Sequence, residues 1–72
     1  MQTPRPHLKN ARLGAGLTAF ELAQIIGATE NKVYGIERGR YSPEMDLALR
    51  WSAALGLNPE QAFPELFGGG AQ

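Results

Sequence analysis

The side chains best suited to binding chemistry in this sequence are three bases that lie close together along the chain, Lys32, Arg38 and Arg40. Basic groups gathered around the end of one helix are typical of surfaces that contact the phosphates of nucleic acids. Catalytic chemistry has little support, because His7 is the only histidine and no cysteine or cluster of carboxylates accompanies it. We therefore expect neither a catalytic triad nor a metal site.

Cofactor chemistry is not indicated either. The run Gly68-Gly69-Gly70 lacks the following helix and lysine of a phosphate-binding loop. We expect a protein that is not an enzyme and that takes no cofactor and no small-molecule ligand. His7 is interpreted as a surface residue, and Trp51 as part of the core.

The charges are segregated along the chain, although seven basic and seven acidic side chains give a net charge of zero. Residues 1–42 carry six basic and three acidic side chains, a net charge of +3, whereas residues 43–72 carry one basic and four acidic side chains, a net charge of −3. A bipolar domain can turn its basic half toward DNA. A mixed-charge surface also produces such a split by chance, so the segregation alone does not decide the partner.

A chain of 72 residues can bury only one small core, so we expect a single domain. We predict an N-terminal arm or helix entry over residues 1–6, a folded domain over residues 7–67 and a disordered tail over residues 68–72. The absence of cysteine means that nothing requires an oxidising compartment, and no apolar run is long enough to span a membrane. We expect a cytoplasmic protein without a membrane partner.

Apolar spacing predicts the first two helices. The first runs from about His7 to Ala15, because Leu8, Ala11 and Ala15 recur at intervals of three and four residues. Thr18 and Glu21 form a capping-box pattern that begins the second helix. The residues expected to face inward from this second helix are Leu22, Ala23 and Ile26.

A tight turn at Gly27-Ala28 leads to a third helix, for which Thr29 is the N-cap candidate. This helix ends near Arg38 and is mostly polar, with Val33 and Ile36 on its one apolar face.

Two further helices are predicted. Ser42 and Pro43 are expected to cap and begin a fourth helix, because proline is favoured at the first helical position. Its residues at helical spacing are Met45, Ala48, Trp51, Ser52 and Leu55. Asn58-Pro59 repeats the order of cap and proline and begins a fifth helix, which Pro64 shortens or kinks.

Two short helices joined by a tight turn form the helix-turn-helix arrangement. The sequence also closely resembles the phage-repressor and Cro helix-turn-helix family. The residues that carry the resemblance are Leu17-Thr18, Leu22-Ala23, Gly27-Ala28-Thr29, Val33, Ile36-Glu37-Arg38-Gly39, Pro43 and Leu55-Gly56. The resemblance implies an all-α, five-helix, lambda-repressor-like DNA-binding domain in which helices 2 and 3 form the motif. It also implies a sequence-specific transcriptional regulator, in particular a repressor, that inserts helix 29–38 into the major groove of double-stranded DNA.

The resemblance further implies a structural ion pair between Arg12 on the first helix and Glu37 at the end of the third. A charge-assisted pair between these helices would determine how the third helix projects from the domain. The alternative is that the two are unrelated surface charges.

The base-reading positions implied by the resemblance are Glu30, Asn31, Lys32, Tyr34 and Gly35. Asn31 can form paired hydrogen bonds with adenine, and Lys32 can reach guanine or a phosphate. Glu30 can accept a hydrogen bond from cytosine, or it can simply complement the helix dipole. Tyr34 packs on a sugar or a thymine methyl group, or it covers the edge of the core.

The phosphate contacts implied by the resemblance are Thr18, Thr29, Arg38, Arg40 and Tyr41, with Arg5 and Lys9 as possible additions. For Arg40, a solvated loop charge is the alternative interpretation.

Two positions depart from the family pattern. Ala19, which the resemblance assigns to DNA contact, stands where the family usually has a glutamine, so one polar contact is missing, and Gly35 leaves a reading position without a side chain. Because few side chains can form strong contacts with bases, a monomer should bind DNA weakly, so we expect a homodimer on DNA. The candidate dimer surface consists of Leu57, Phe63, Leu66 and Phe67, which could instead close the core.

The competing function is a helix-turn-helix scaffold used for protein interaction, such as an antitoxin-like partner or an adaptor.

Overall fold

The computed structural model describes residues 4–67, and these residues form six helices and no strand. The helices are α1 (Pro6–Gly14), α2 (Ala19–Ile26), α3 (Glu30–Arg38), α4 (Met45–Leu55), α5 (Pro59–Ala62) and α6 (Pro64–Phe67). The predicted all-α class is therefore confirmed. The predicted tail over residues 68–72 lies outside the described residues, as do residues 1–3 of the predicted arm.

Of the two alternatives for the start of the chain, the structure has the helix entry over residues 4–6, which are attached to the domain. Pro6 is already the first residue of α1, where its missing N–H costs no hydrogen bond. The backbone N–H of Arg5 donates to the carbonyl oxygen of Glu37 at 2.8 Å. The start of α1 is thus joined directly to the end of α3.

The predicted caps of α2 and α3 are confirmed. The backbone N–H of Glu21 donates to Oγ1 of Thr18 at 3.1 Å, and the Thr18 N–H donates to Oε1 of Glu21 at 2.9 Å. Gly27 ends α2 with a left-handed backbone (φ 75°), which glycine adopts without steric cost. The Lys32 N–H then donates to Oγ1 of Thr29 at 3.1 Å, and only three residues lie between the end of α2 and the start of α3.

The predicted start of α4 is wrong. Glu44, not Ser42, is the N-cap, and Pro43 is buried in the connection rather than placed in the first helical turn. Arg5 donates to the carbonyl oxygen of Tyr41 at 3.2 Å and lies 3.5 Å from Oγ of Ser42, so these contacts hold the connection against α3. Leu47 takes the buried place expected for Met45, which is exposed.

Pro64 separates α5 from α6, which is why residues 4–67 contain six helices where five were predicted. Proline has no N–H to donate to the preceding turn, so α5 stops at Ala62 and a new helical turn begins at Pro64. Asn58 caps α5, as predicted, because its Oδ1 accepts from the Glu60 N–H at 2.9 Å.

Phe63, at the junction of α5 and α6, is fully buried. Its ring meets Trp51 edge to face, with 5.9 Å between the ring centroids and an interplanar angle of 80°. The assignment of Phe63 to a dimer surface is therefore wrong, since its side chain closes the core instead. The buried core consists of Leu8, Ala19, Leu22, Ala23, Ile26, Val33, Ile36, Leu47, Ala48, Trp51, Ala62 and Phe63.

Candidate nucleic-acid interface

Arg12 and Glu37 form a bidentate ion pair between α1 and α3. Nε of Arg12 lies 2.7 Å from Oε2 of Glu37, Nη2 lies 3.2 Å from Oε1, and each side chain is only 5% exposed. The remaining Nη1 donates to the carbonyl oxygen of Leu17 at 3.1 Å. The hydrogen bond to Glu37 raises the pKa of Arg12, although burial acts in the opposite direction. The guanidinium of Arg12 thus joins α1, the residue before the N-cap of α2 and the end of α3.

The orientation of α3 leaves its polar face outside the domain. Val33 and Ile36 are fully buried against the core, where α3 packs on α2. The exposed side chains of α3 are Glu30, Asn31, Tyr34 and Arg38, with Lys32 half-buried. The stretch that the sequence assigns to base reading therefore supplies an accessible helical face.

A cleft of about 550 Å³ lies along the first turn of α3. Its lining residues are Thr29, Asn31, Lys32, Tyr41, Ser42 and Glu44. Nζ of Lys32 is 3.9 Å from Oε1 of Glu44, and both side chains are substantially exposed, so this ion pair is weak. The sequence analysis missed Glu44, because it precedes α4 and reaches the interface only through the fold.

A second cleft, of about 330 Å³, follows the later turns of α3. Its lining residues are Asn31, Tyr34, Gly35, Arg38, Arg40 and Tyr41. The guanidinium of Arg38 lies over the ring of Tyr34, 5.4 Å from the centroid, which is a cation–π geometry. This contact holds the Arg38 charge on the accessible side of the helix.

Two of the residues assigned to DNA contact, Ala19 and Gly35, present no side chain on the accessible surface. Ala19 is 1% exposed and packs in the core, so its methyl group cannot meet DNA. Gly35 is buried as well, because the ring of Tyr41 covers it. The Ala19 assignment is wrong, and the surface at Gly35 is formed by another residue.

Thr18 and Thr29 lie exposed at the N-termini of α2 and α3, and their hydroxyl oxygens accept the capping hydrogen bonds. Arg40 and Tyr41 are exposed in the connection after α3, and Lys9 is exposed on α1. The bases considered for phosphate binding are therefore accessible, with one exception.

Arg5 is the exception, because it is only 6% exposed. Its Nη1 donates to the carbonyl oxygen of Ile36 at 2.7 Å, its Nε lies 3.1 Å from Oε2 of Glu65, and its guanidinium lies 5.8 Å from the centre of the Phe63 ring. Arg5 therefore joins parts of the domain and is not placed for a phosphate contact. Sequence reasoning could not find this role, since Glu65 is 60 positions away.

The pKa of Glu65 is lowered in the folded protein. Burial alone would raise the pKa of Glu65, but the hydrogen bonds from Arg5 and from the backbone, together with the positive charge of Arg5, hold it below its ordinary value of 4.5.

No group of three or more side chains able to ligate a metal occurs within residues 4–67. His7 is exposed, and its Nε2 lies 2.8 Å from the carbonyl oxygen of Ala62. Within the same residues, none of the helices combines the length and apolarity needed to cross a bilayer.

Known proteins resemble this chain over most of its length. A family model described as a helix-turn-helix domain matches residues 7–66. A protein of Methanothermobacter thermautotrophicus, named as an uncharacterized HTH-type transcriptional regulator, is 42% identical over 52 residues, which are 72% of this chain and 75% of that protein.

Two solved structures have a similar fold. The restriction-modification controller protein C.AhdI from Aeromonas hydrophila superposes with a TM-score of 0.71 at 30% identity, covering 78% of this chain and 85% of that chain. The clp gene regulator ClgR from Corynebacterium glutamicum superposes with a TM-score of 0.71 at 28% identity, covering 85% of this chain and 65% of that chain. The region matched by the family model contains the whole of α3 and both members of the Arg12–Glu37 pair.

Proposed function

This chain belongs to the helix-turn-helix family that its sequence resembles, and we propose that it is a DNA-binding transcriptional regulator that inserts α3 into the major groove of a specific duplex site. The observation that carries the proposal is the outward polar face of α3. The buried pair between Arg12 and Glu37 supports this face, because it restrains α3 relative to α1.

In the proposed complex, α3 supplies base contacts and its surroundings supply phosphate contacts. Asn31 is exposed in the first turn, where its amide can make two hydrogen bonds with adenine. Lys32 reaches guanine or a phosphate, and Glu30 either accepts from cytosine or complements the helix dipole. The residues proposed to contact phosphates are Thr18, Thr29, Arg38, Arg40 and Tyr41.

Repression is the simplest regulatory outcome for a domain of this kind. A protein that occupies a promoter site excludes polymerase by steric overlap and needs no contact with it. We also propose a homodimer on a two-fold site, because one small interface with few base contacts would bind weakly. Of the residues assigned to the dimer surface, Leu57, Leu66 and Phe67 are partly exposed and pack at the margin of the core.

The competing function is a protein-interaction module. Glu30 and the nearby Glu44 favour it, because carboxylates beside α3 repel phosphates. Lys32, Arg38 and Arg40 favour DNA, since three cations line the two clefts around α3. We choose DNA because the cations outnumber the carboxylates on this face.

A salt titration of binding to random duplex DNA tests the proposal. The affinity should fall steeply as salt increases, and Arg40→Gln and Lys32→Gln should each reduce the slope of log K against log salt by about 1. Arg50→Gln is the matched control, because Arg50 is an exposed arginine on α4, outside the two clefts. Absence of duplex binding, or equal slopes for all these proteins, would contradict the proposal.

Selection of bound sites from a random duplex pool then tests specificity and symmetry. A two-fold repeat in the selected sites supports the homodimer. A single half-site argues against the homodimer while leaving the α3 interface intact.

A further inference from the structure

We infer that Tyr41, in the connection after α3, is a specificity-determining residue that occupies the reading position of Gly35 and contacts the C5 methyl group of a thymine. The inference rests on the proposed function, because it requires α3 to lie in the major groove. It replaces the phosphate contact proposed above for Tyr41 with a contact to a base, and it fills the reading position that Gly35 leaves without a side chain.

The close approach of Tyr41 to Gly35 is the first observation. A Cβ atom built on Gly35 would overlap Cδ2 and Cε2 of the tyrosine ring, and it would lie 3.5 Å from Cγ. Gly35 lies within α3 and has no positive φ, so the absence of a side chain here serves the close approach and not an unusual backbone. The ring therefore rests on the helix backbone in the space that a side chain at position 35 would use.

The second observation is that the backbone on both sides of the ring is held. The Arg40 N–H donates to the carbonyl oxygen of Gly35 at 2.8 Å. Nη1 of the buried Arg5 donates to the carbonyl oxygens of Ile36 at 2.7 Å and Tyr41 at 3.2 Å. Because these bonds tie the connection to α3, the ring is preorganised and loses little freedom when it meets DNA.

The third observation concerns what the ring presents outward. Tyr41 is 53% exposed, and it lines both clefts beside α3, as does Asn31. The ring thus presents an aromatic surface at the boundary of the two clefts. The thymine methyl is the apolar group that base edges display in the major groove, so it is the matching partner for an aromatic ring on this face.

The arrangement also predicts where the thymine lies. Asn31 and Gly35 are four residues apart in α3 and share one face, separated by about 6 Å along the helix axis. Successive base pairs are about 3.4 Å apart. The thymine read by Tyr41 should therefore lie within about two base pairs of the adenine read by Asn31.

Replacement of thymine by deoxyuridine, which lacks only the methyl group, provides the test. In a site selected by the wild-type protein, each thymine is replaced in turn and the Kd is measured. One replacement near the Asn31 adenine should weaken wild-type binding about threefold to fivefold, the effect of one buried methyl group. Tyr41→Ala should bind the thymine site more weakly and lose the penalty for deoxyuridine, whereas Tyr41→Phe should keep both the affinity and the penalty.

Gly35→Ala provides an independent variant, because its methyl group displaces the ring. Like Tyr41→Ala, it should lose the penalty for deoxyuridine. The double variant Gly35→Ala/Tyr41→Ala should show no further change in this penalty. Circular dichroism establishes that each variant is folded, and Tyr41→Ala keeps the test valid if Gly35→Ala does not fold.

Three outcomes would overturn the inference: no deoxyuridine penalty in the wild type, an unchanged penalty in Tyr41→Ala, or an equal loss in Tyr41→Phe and Tyr41→Ala. The last outcome would indicate a phosphate contact by the hydroxyl group. Retained salt-dependent binding to random duplex would show that only this inference had failed. Loss of all duplex binding by the folded wild-type protein would instead remove the proposed function.

Discussion

Arg5 and Glu65 form an ion pair that joins the residue before α1 to α6, although 60 positions separate them in the chain. The same guanidinium donates to the carbonyl oxygen of Ile36 near the end of α3. Arg5 therefore holds both α6 and the end of α3 against the start of the domain.

Arg5→Ala should destabilise the domain by about 2–3 kcal/mol, because it removes the hydrogen bonds of a buried guanidinium to the carbonyl oxygens of Ile36 and Tyr41 and removes the partner of Glu65. In a domain of this size the melting temperature should fall by about 10 °C or more, measured by circular dichroism at 222 nm. Arg50→Ala removes an exposed arginine paired with Asp46 and should change stability by less than about 0.5 kcal/mol. Equal small effects for the two variants would refute the structural role of Arg5.

The Arg5–Glu65 pair predicts a dependence of stability on pH. Because the pKa of Glu65 is lower in the folded state than its ordinary value of 4.5, the pair stabilises the protein above that pH. This contribution is lost as the pH falls from about 5 through the folded-state pKa. The free energy of unfolding, measured by urea titration from pH 7 to pH 3, should therefore fall more steeply for the wild type than for Glu65→Gln. Parallel pH profiles would show that Glu65 does not titrate differently in the folded state.

Arg12→Met and Glu37→Met should each cost about 3–5 kcal/mol, because each leaves an unpaired charge in a buried site. The double variant Arg12→Met/Glu37→Met removes both charges and should be more stable than either single variant. Thermal unfolding of the four proteins measures this. Additive losses in the double variant would mean that the two charges do not depend on each other.

Alanine at Gly35 should have opposite effects in two backgrounds. In the wild type the new methyl group displaces the Tyr41 ring, and this loss should outweigh the gain in helix propensity. In a Tyr41→Ala background the methyl group meets no ring, so the same change should stabilise by up to about 1 kcal/mol. Gly14→Ala is the control, since a Cβ at Gly14 has no neighbour within 4 Å. The same sign in both backgrounds, measured by urea unfolding, would disprove the coupling.

Local patterns in the sequence were sufficient for the features formed by nearby residues. Thr18 with Glu21, Thr29 with the Lys32 amide, and Asn58 with the Glu60 amide are caps within three residues of each other. Such contacts depend on a single helical turn, so residue type and spacing determine them. The pair of Arg12 and Glu37 spans the domain, and only the family resemblance predicted it.

The exposure of individual side chains was predicted less well. Ala19 is in the core, Pro43 is outside α4, and Phe63 packs on Trp51 rather than at a dimer surface. The errors at Ala19 and Phe63 concern which of several nearby residues faces inward, whereas the error at Pro43 concerns where a helix begins. Periodicity indicates a face of a helix, but the neighbouring helices decide where that face ends.

The sequence by itself determined the helices, most of their boundaries and the polar character of α3, because these follow from contacts along one segment of chain. Only the tertiary structure decided that Arg5 is buried, that Glu65 and Glu44 lie near α1 and α3, and that the ring of Tyr41 covers Gly35. The physical reason is that such contacts join residues far apart in the chain or across a connection. Their geometry therefore exists only after all six helices have packed on one core.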